Sequence, residues 1–537
     1  MTTADLLVRN ARVYTGEASS PWADAFACSD GRILAVGKEG DIGSLAGPRT
    51  EVLDAGGRLV LPGFLDAHVH LIWGYELGSW LDLTDRPSLD EIQQRVATYA
   101  EEHPREDMIV GHGFDYAALR EEGLPDARAL DAAVDDRPVL LMSYDGHTGW
   151  GNTQFVDRAE AIVRSVGSDV GEMRRDPLTR KPTGIFHRIF DLMACMPEIQ
   201  GRRSIEGLQR TIAEASRLGI TTAFDVQVGL EDLHAYEELR NLGGLTVRIR
   251  AAIHHPKGTP RARYSEFAAA RSRHDDDWFR VGAIKLYIDG VQETGTAALL
   301  EPYADNPTAI GETVYDEEEY ATVVAELDRL GFQICTHACG DRGVRIALGA
   351  YERAARQNGT FGRRHRIEHC ENVAPEDYPR FKELGVVPCM MPRHAAPEIT
   401  RRWREAVGLE RTRIAFPWRE LLDHGAAIAF ASDWPVASLN PLVGIREAVT
   451  RRAPDGEPSP HRISLADAID AYTRRAAFAC FAETTRGSIS VGKYADFIVL
   501  SEDLFDIPAD RISEVRVIRT VVGGRTVYEE AAQSPSQ

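Results

Sequence analysis

Lysine is scarce in this 537-residue chain, which has six lysines and 56 arginines among its 62 basic residues. Acidic residues outnumber basic ones, and the formal net charge is −20 at neutral pH. Such a charge opposes binding to a phosphate backbone, so we expect no nucleic-acid partner. Because arginine supplies almost all positive charge, any lysine within an apolar segment needs its own explanation.

The sequence also lacks a long apolar run. No stretch approaches the roughly 18 to 20 apolar residues that a membrane-spanning helix needs, and Met1 to Asp5 lack the pattern of a secretory signal. Seven cysteines are scattered along the chain, which is untypical of a disulfide framework. These absences predict a cytoplasmic protein with reduced thiols and no membrane partner.

The length and the apolar patterning predict an α/β fold with three parts. Residues 1–62 and 485–530 contain short apolar runs between turn residues, which predict one composite β-sandwich built from both termini. Residues 63–74 and 200–484 are predicted to form a (β/α)8 TIM barrel, which uses about 250 residues. Residues 75–199 are too long for a loop and predict an inserted α/β subdomain.

Eight candidate strands alternate with helical patterns, as in parallel βα units. They are Phe64–His70, Ile220–Val226, Leu245–Ile253, Val281–Ile288, Gln333–His337, Arg366–His369, Val386–Met390 and Ile428–Ser432. Active sites of such barrels lie at the carboxyl ends of the strands, so polar residues there are the candidates for catalysis.

Histidines stand at or near several of these strand ends. His68 and His70 are two residues apart on one strand, so their side chains share a face and can bind one metal ion. Two hydrogen-bonded surface histidines are the alternative for such a pair. His337 and His369 each close a strand that precedes a helix, and a hydrogen-bonded core histidine is the alternative for each.

Asp433 and Lys285 are charged residues in apolar surroundings. Asp433 follows the run 427–432, where a buried carboxylate is costly unless it is paired or binds metal; a helix cap is the alternative. Lys285 interrupts an apolar strand, and burial favours the neutral amine, which can react with carbon dioxide to give a metal-bridging carbamate. A salt bridge to Asp289 is the alternative for Lys285.

The order of these residues resembles the amidohydrolase superfamily, and in particular its family 3, which includes N-substituted formamide deformylase. The resemblance rests on the run Gly63–His70 followed by Lys285, His337, His369 and Asp433. The further matching stretches are Asp145–Asn152, Lys285–Gly290, Gly340–Arg342, Ser432–Pro435 and Gly487–Asp496. The resemblance covers nearly the whole chain.

The resemblance implies a site and a reaction. The expected ligands of one ion are His68, His70 and Asp433, those of a second ion are His337 and His369, and carboxylated Lys285 is the expected bridge. One or two divalent ions, with zinc the expected metal, then activate a hydroxide that cleaves an amide-type C–N bond other than a peptide bond. Asp433 is the expected catalytic proton carrier. The expected binding partner is a small-molecule substrate, and the chain is expected to form a homo-oligomer, specifically a dimer.

Substrate contacts are expected from the insert and from strand ends. The candidates are His147, Trp150, Trp73, Tyr75, Arg393, His394 and Trp434. Their aromatic character favours a partly apolar or aromatic amide. A helix cap is the alternative for His147, and the chain departs from the family pattern at His187, where many members carry an acidic residue. The exact substrate therefore stays open.

Other functions stay open, and a decarboxylase or another non-hydrolytic use of the same centre is one of them. A deaminase of a cyclic amidine or aminoazine usually has one metal and, in this superfamily, a glutamate soon after the fifth-strand histidine, whereas residues 338–341 after His337 are Ala-Cys-Gly-Asp. A third alternative is a non-catalytic barrel scaffold, which would have no reason to hold metal in stoichiometric amount.

Replacing His68 and His70 together by alanine should remove at least one divalent ion per chain, because two ligands on one strand face share that ion. Plasma mass spectrometry of the purified protein should find between one and two ions per wild-type chain. An unchanged metal content in the double variant would contradict the assignment.

Overall fold

The computed structural model describes residues 3–531 except for 85–87, 116–125, 145, 167–171, 188, 194, 197–198, 200–203, 361, 398 and 454–455. Asp145, the first residue of one matching stretch, lies outside the described residues. The chain divides into two compact units. One runs to Leu71 and continues through Gln209–His255 and from Pro260 onwards, and the other holds Ile72–Leu208 and Pro256–Thr259.

Eight parallel strands form one sheet in chain order within the first unit. They are β1 (Phe64–Val69), β2 (Ile220–Val228), β3 (Arg248–His254), β4 (Phe279–Tyr287), β5 (Gln333–Ala338), β6 (Arg366–His369), β7 (Val387–Met390) and β8 (Ala429–Phe430). The amide of Asp433 donates to the carbonyl of His68 at 2.9 Å, which joins the ends of β8 and β1. The nearly closed sheet confirms the predicted barrel, and all eight strands lie within three residues of the predicted bounds.

Helices follow the strands, as a parallel sheet requires. In the chain from Ile205 onwards they are Ile205–Arg217, Leu233–Asn241, Tyr264–Arg273, Glu317–Arg329, Asp341–Asn358, Tyr378–Leu384, Arg401–Val407, Leu409–Ile414, Trp418–Asp423, Pro441–Thr450, Leu465–Ala471 and Arg474–Ala479. Their ends follow local chemistry. The Asp316 carboxylate accepts from the Glu319 amide at 2.8 Å and caps one N-terminus, and Gly359, at φ +67°, ends another helix in the left-handed conformation.

Both chain termini form two sheets of the same unit. One sheet holds Arg32–Gly37, Ala25–Ser29, Leu6–Arg9 and Glu51–Asp54, and the other holds Arg525–Glu529, Val517–Val522, Phe497–Leu500, Leu59–Pro62, Arg12–Tyr14 and Trp22–Ala23. Apolar residues from both sheets pack into one core, with Phe26 against Phe497 edge-to-face. The β-sandwich predicted from both termini is therefore present.

A buried ion pair joins this sandwich to the barrel. Arg248, the first residue of β3, donates to both carboxylate oxygens of Asp496 at 2.8 and 3.1 Å. The rings of Trp278 and Tyr494 lie 4.6 and 4.1 Å from the Arg248 guanidinium carbon. Two hydrogen bonds and two aromatic contacts compensate for the burial of this charge.

The second unit contains its own six-stranded sheet and core. Its strands, in sheet order, are Glu172–Arg175, Pro182–His187, Thr148–Gly151, Val139–Ser143, Ile109–Phe114 and Leu81–Asp82. Its helices include Leu89–Glu102, Ala127–Asp131, Thr153–Val166 and Ile189–Met193. The structure thus confirms the predicted fold class, which included an inserted α/β subdomain.

Two further expectations concern thiols and membranes. The seven cysteines are free thiols, and six of them are buried. Within the described part of the chain, no helix combines the length and the apolar character needed to cross a membrane.

Candidate metal centre

Six polar side chains predicted from the sequence lie at the carboxyl ends of the barrel strands. His68 lies on β1 and His70 just after it, Lys285 on β4, His337 on β5, His369 on β6 and Asp433 three residues after β8. His369 and Asp433 have positive φ angles of 77° and 57°. Non-glycine residues rarely adopt this conformation, and they concentrate at functional sites where the surroundings hold them.

Three atoms converge at the ends of β1 and β8. Oδ1 of Asp433 lies 3.1 Å from Nε2 of His70 and 3.3 Å from Nε2 of His68. The other ring nitrogens are already used, since Nδ1 of His68 lies 2.6 Å from Glu368 and Nδ1 of His70 lies 3.1 Å from the Val226 carbonyl. Both of those partners are acceptors, so each Nδ1 carries the proton and each Nε2 presents a lone pair.

This arrangement fits a bound cation. Two lone-pair nitrogens and a carboxylate oxygen face one another, and buried Oδ1 of Asp433 makes no hydrogen bond with any described residue. Such electron-rich atoms repel one another unless a positive ion lies between them. Two imidazoles and a carboxylate are ligands that zinc and related divalent ions bind in proteins.

A buried ion pair supports the first histidine. Glu368 accepts from Nδ1 of His68 and from the Arg366 guanidinium at 2.8 and 2.9 Å, and all three side chains are fully buried. Arg366 also donates to the Ala67 carbonyl at 2.6 Å and lies over the Phe224 ring. Burial alone would raise the pKa of Glu368, but Arg366 and His68 outweigh it and hold that pKa far below its usual value. Glu368 is therefore a carboxylate that fixes the His68 tautomer.

Lys285 faces the same group of ligands. Its Nζ lies 3.4 Å from Nε2 of His68 and 4.9 Å from the Tyr287 ring centre. Burial lowers the pKa of the Lys285 amine, which favours the neutral form. Asp289, the alternative salt-bridge partner, instead accepts from the backbone amides of Ala298, Cys339 and Gly340 at 2.9 to 3.1 Å.

A second group of possible ligands lies on β5 and β6. Nε2 of His337 is 3.1 Å from the Gly290 carbonyl and 3.5 Å from Sγ of Cys339. The His337 and His369 rings are 4.3 Å apart, and both lie with Cys339 within the reach of one ion. The structure thus brings the two predicted histidines together and adds a buried thiol that sequence reasoning missed.

A third group lies beyond Asp433. Nε2 of His394 is 3.6 Å from Oδ2 of Asp433, and its Nδ1 is 3.5 Å from Glu371. Glu371 accepts from the Trp403 indole at 2.8 Å, and it forms a possible ligand set with His369 and His394. Glu371, like Glu368, was missed from the sequence, although both stand within two residues of His369.

The predicted substrate contacts divide between the two units. Trp434 and Arg393 are half-buried in the first unit, and Arg393 lies 3.5 Å from Glu447. In the insert, Trp73 packs against an apolar core cluster and His147 is half-buried. Trp150 is fully buried in the core of the insert, where its indole donates to the Asp126 carbonyl at 3.2 Å. Trp150 therefore packs within the insert, and the substrate contact predicted for it stays a prediction.

Comparisons with known proteins find relatives that match most of the chain. A sequence model of the amidohydrolase family matches residues 51–528. Protein LONG AFTER FAR-RED 3 of Arabidopsis thaliana is 31% identical over 98% of this chain and 92% of its own length. N-substituted formamide deformylase of Arthrobacter pascens is 28% identical over 98% of both proteins. An uncharacterized metal-dependent hydrolase of Pyrococcus horikoshii shares the fold, with a TM-score of 0.73, 22% identity and coverage of 94% of this chain and 99% of its own.

Replacing Glu368 by glutamine should weaken metal binding by about 10- to 100-fold, as is typical when a residue that orients a metal-bound histidine is changed. The amide no longer neutralises Arg366, and its nitrogen can turn towards His68 and leave Nε2 protonated. Chelator competition would measure the affinity. Glu420→Gln is the matched control, because Glu420 contacts Nδ1 of His461 at the same 2.6 Å. Equal metal affinity in Glu368→Gln and wild type would contradict the role assigned to Glu368.

Proposed function

The chain belongs to the amidohydrolase family and is a hydrolase of C–N bonds, and on that premise we propose that its substrate is a small N-substituted amide. The observation that carries the proposal is the convergence of His68, His70 and Asp433, whose atoms suit one divalent ion. The 28% identity to a protein named N-substituted formamide deformylase makes N-substituted formamides the first candidates.

The proposed centre is binuclear and contains zinc. His68, His70 and Asp433 would hold one ion, His337 and His369 would hold the other, and Lys285, once carboxylated, would supply a further anionic ligand. Such ions, when bound, lower the pKa of water and polarise a carbonyl. A homodimer and a cytoplasmic location stay predictions.

The side chains of this chain have separate tasks in the proposed reaction. Asp433 takes the proton of the attacking water and returns it to the leaving nitrogen, because its carboxylate is the acceptor at the meeting point of the ligands. Glu368 keeps the lone pair of His68 directed at that point. His394, next to Oδ2 of Asp433, is positioned to hydrogen-bond the substrate or the leaving amine.

A substrate screen with metal-reconstituted protein tests the proposal. N-substituted formamides, N-acyl amines, cyclic imides and aminoazines form its four arms. We expect the release of an amine with formate or another carboxylate. Ammonia released from an aminoazine, with no amide cleaved, would favour the deaminase alternative. Stoichiometric metal with no turnover in any arm would contradict the proposed substrate class.

Replacing Asp433 by asparagine should lower turnover by at least ~10²-fold, because an amide cannot accept the proton of water at neutral pH. Much of the metal should remain, since the amide oxygen preserves one ligand. Steady-state kinetics and metal analysis on one preparation would separate the two effects. Asp470→Asn is the control, as Asp470 is a buried aspartate paired with Arg474 at 2.5 Å. Near-normal turnover in Asp433→Asn would reduce Asp433 to a structural role.

Replacing Lys285 by alanine should abolish activity, and short carboxylic acids should partly restore it, because they can take the place of the carbamate. Lys285→Arg should also be inactive, since a guanidinium keeps its proton. Carbon-13 NMR of wild-type protein equilibrated with labelled bicarbonate should show a carbamate signal that Lys285→Ala lacks. A bare amine in fully metallated active protein would contradict the carbamate.

A further inference from the structure

We propose that the floor of the barrel, which is the end formed by the amino ends of its strands, contains a second site. This site binds a phosphate group of a small molecule. A cavity of about 380 Å³ opens there, lined by residues near the amino ends of β3, β4 and β5. The candidate metal centre uses the opposite, carboxyl ends of the strands. The two sites therefore lie at opposite ends of the same barrel.

The cavity wall is rich in arginine. Four arginines line it, Arg250, Arg271, Arg280 and Arg363, against one carboxylate, that of Asp275. Arg280 pairs with Asp275 at 2.8 Å, and Arg363 lies 3.3 Å from Asp328 just outside the cavity lining. In a chain with a net charge of −20, such a local excess of positive charge runs against the overall balance.

Two of the four arginines have no carboxylate partner among the described residues. Arg271 donates to the Leu330 carbonyl at 2.7 Å. Arg250 donates to the carbonyls of Ile249 and Asp276 at 3.2 and 3.4 Å. Carbonyl groups accept hydrogen bonds but do not neutralise a charge. The positive charge of both guanidinium groups is therefore not balanced by these contacts.

Arg250 provides the strongest indication of a ligand. The residue is 5% exposed, and its Nε is buried without a hydrogen-bond partner among the described residues. Burial lowers the pKa of Arg250 to about 10; the charges of Arg280 and Arg248 act in the same direction, while Cys480 and Asp277 act against them. A buried charge with an unused donor is costly unless a counter-charge reaches it. An anion in the cavity would supply both the charge and the acceptor.

The chemistry of the wall favours phosphate. A guanidinium presents its donors in a planar fork that matches two oxygens of a phosphate, and a phosphate has enough oxygens to meet several arginines at once. The volume of about 380 Å³ exceeds that of a single ion, which leaves room for the organic part of a monoester. Inorganic phosphate and a phosphate monoester share this chemistry and differ in how much of the cavity they fill.

A larger residue at position 282 would fill the cavity without any change to an arginine. Gly282 lines the cavity, and a Cβ atom there would meet no atom within 4 Å. Strand pairing passes from Ala251 opposite Val281 to Ala252 opposite Ala283, so Gly282 is an extra residue in a bulge. Leucine at this position should occupy the space with little strain.

Calorimetry on the metal-loaded full chain would test the site with inorganic phosphate and with phenyl phosphate. The test variants are Gly282→Leu and Arg271→Gln. The matched control is Arg263→Gln, which removes the same charge from a residue just before the same helix, where Arg263 pairs with Glu266 at 3.2 Å. Turnover and metal content of each variant would show that the metal centre is intact.

We expect both phosphates to bind wild type, with phenyl phosphate tighter because it fills more of the cavity. Arg271→Gln should weaken binding at least about tenfold, the loss expected for one charge-assisted hydrogen bond. Gly282→Leu should abolish binding, and Arg263→Gln should leave it unchanged. Three results would each overturn the proposal. They are no binding to wild type, binding of succinate in place of phosphate, and equal binding in all variants, which is expected for a phosphate held at the metal centre.

Discussion

The site depends on one electrostatic constraint, which is that two imidazole lone pairs and a carboxylate oxygen point at one another inside the barrel. Oδ1 of Asp433 lies 3.1 Å from Nε2 of His70 and 3.3 Å from Nε2 of His68. Each Nδ1 proton is committed to an acceptor behind the ring, so neither ring can turn its proton towards Asp433. The protein thus keeps this group short of positive charge, which a divalent ion supplies.

Buried arginines balance the negative charge elsewhere in the barrel. Arg366 neutralises Glu368 behind His68, and Arg248 neutralises Asp496 between barrel and sandwich. Arginine suits both positions because it cannot lose its proton and offers a fork that matches a carboxylate. Arg250 departs from this pattern, since it forms no salt bridge with a carboxylate among the described residues. That difference separates the cavity at the floor from the ion pairs that hold the fold together.

The barrel strands and the convergence of the candidate ligands could be predicted from the sequence, because both follow local rules. Apolar runs with polar residues at their ends define strands such as β5, and two histidines two apart on β1 must share a face. Glu368 and Cys339 were missed because each reads as an ordinary strand-end residue until its neighbours from other strands are known. The burial of Trp150 in the core of the insert was not predicted for the same reason, because that core forms from several separate strands.

Asp66 shows why the candidate ligands of β1 and β8 meet so closely although His70 and Asp433 are 363 positions apart in the sequence. Its Oδ1 accepts from the backbone amides of His68 at 3.2 Å and Ser432 at 3.0 Å. One carboxylate oxygen therefore holds the backbone of both strand ends. The amide of Asp433 then donates to the His68 carbonyl, which leaves Asp433 in its left-handed conformation with its side chain against both histidines. The run Asp66-Ala67-His68-Val69-His70 thus contains two candidate ligands and the carboxylate whose hydrogen bonds bring the third candidate, Asp433, close to them.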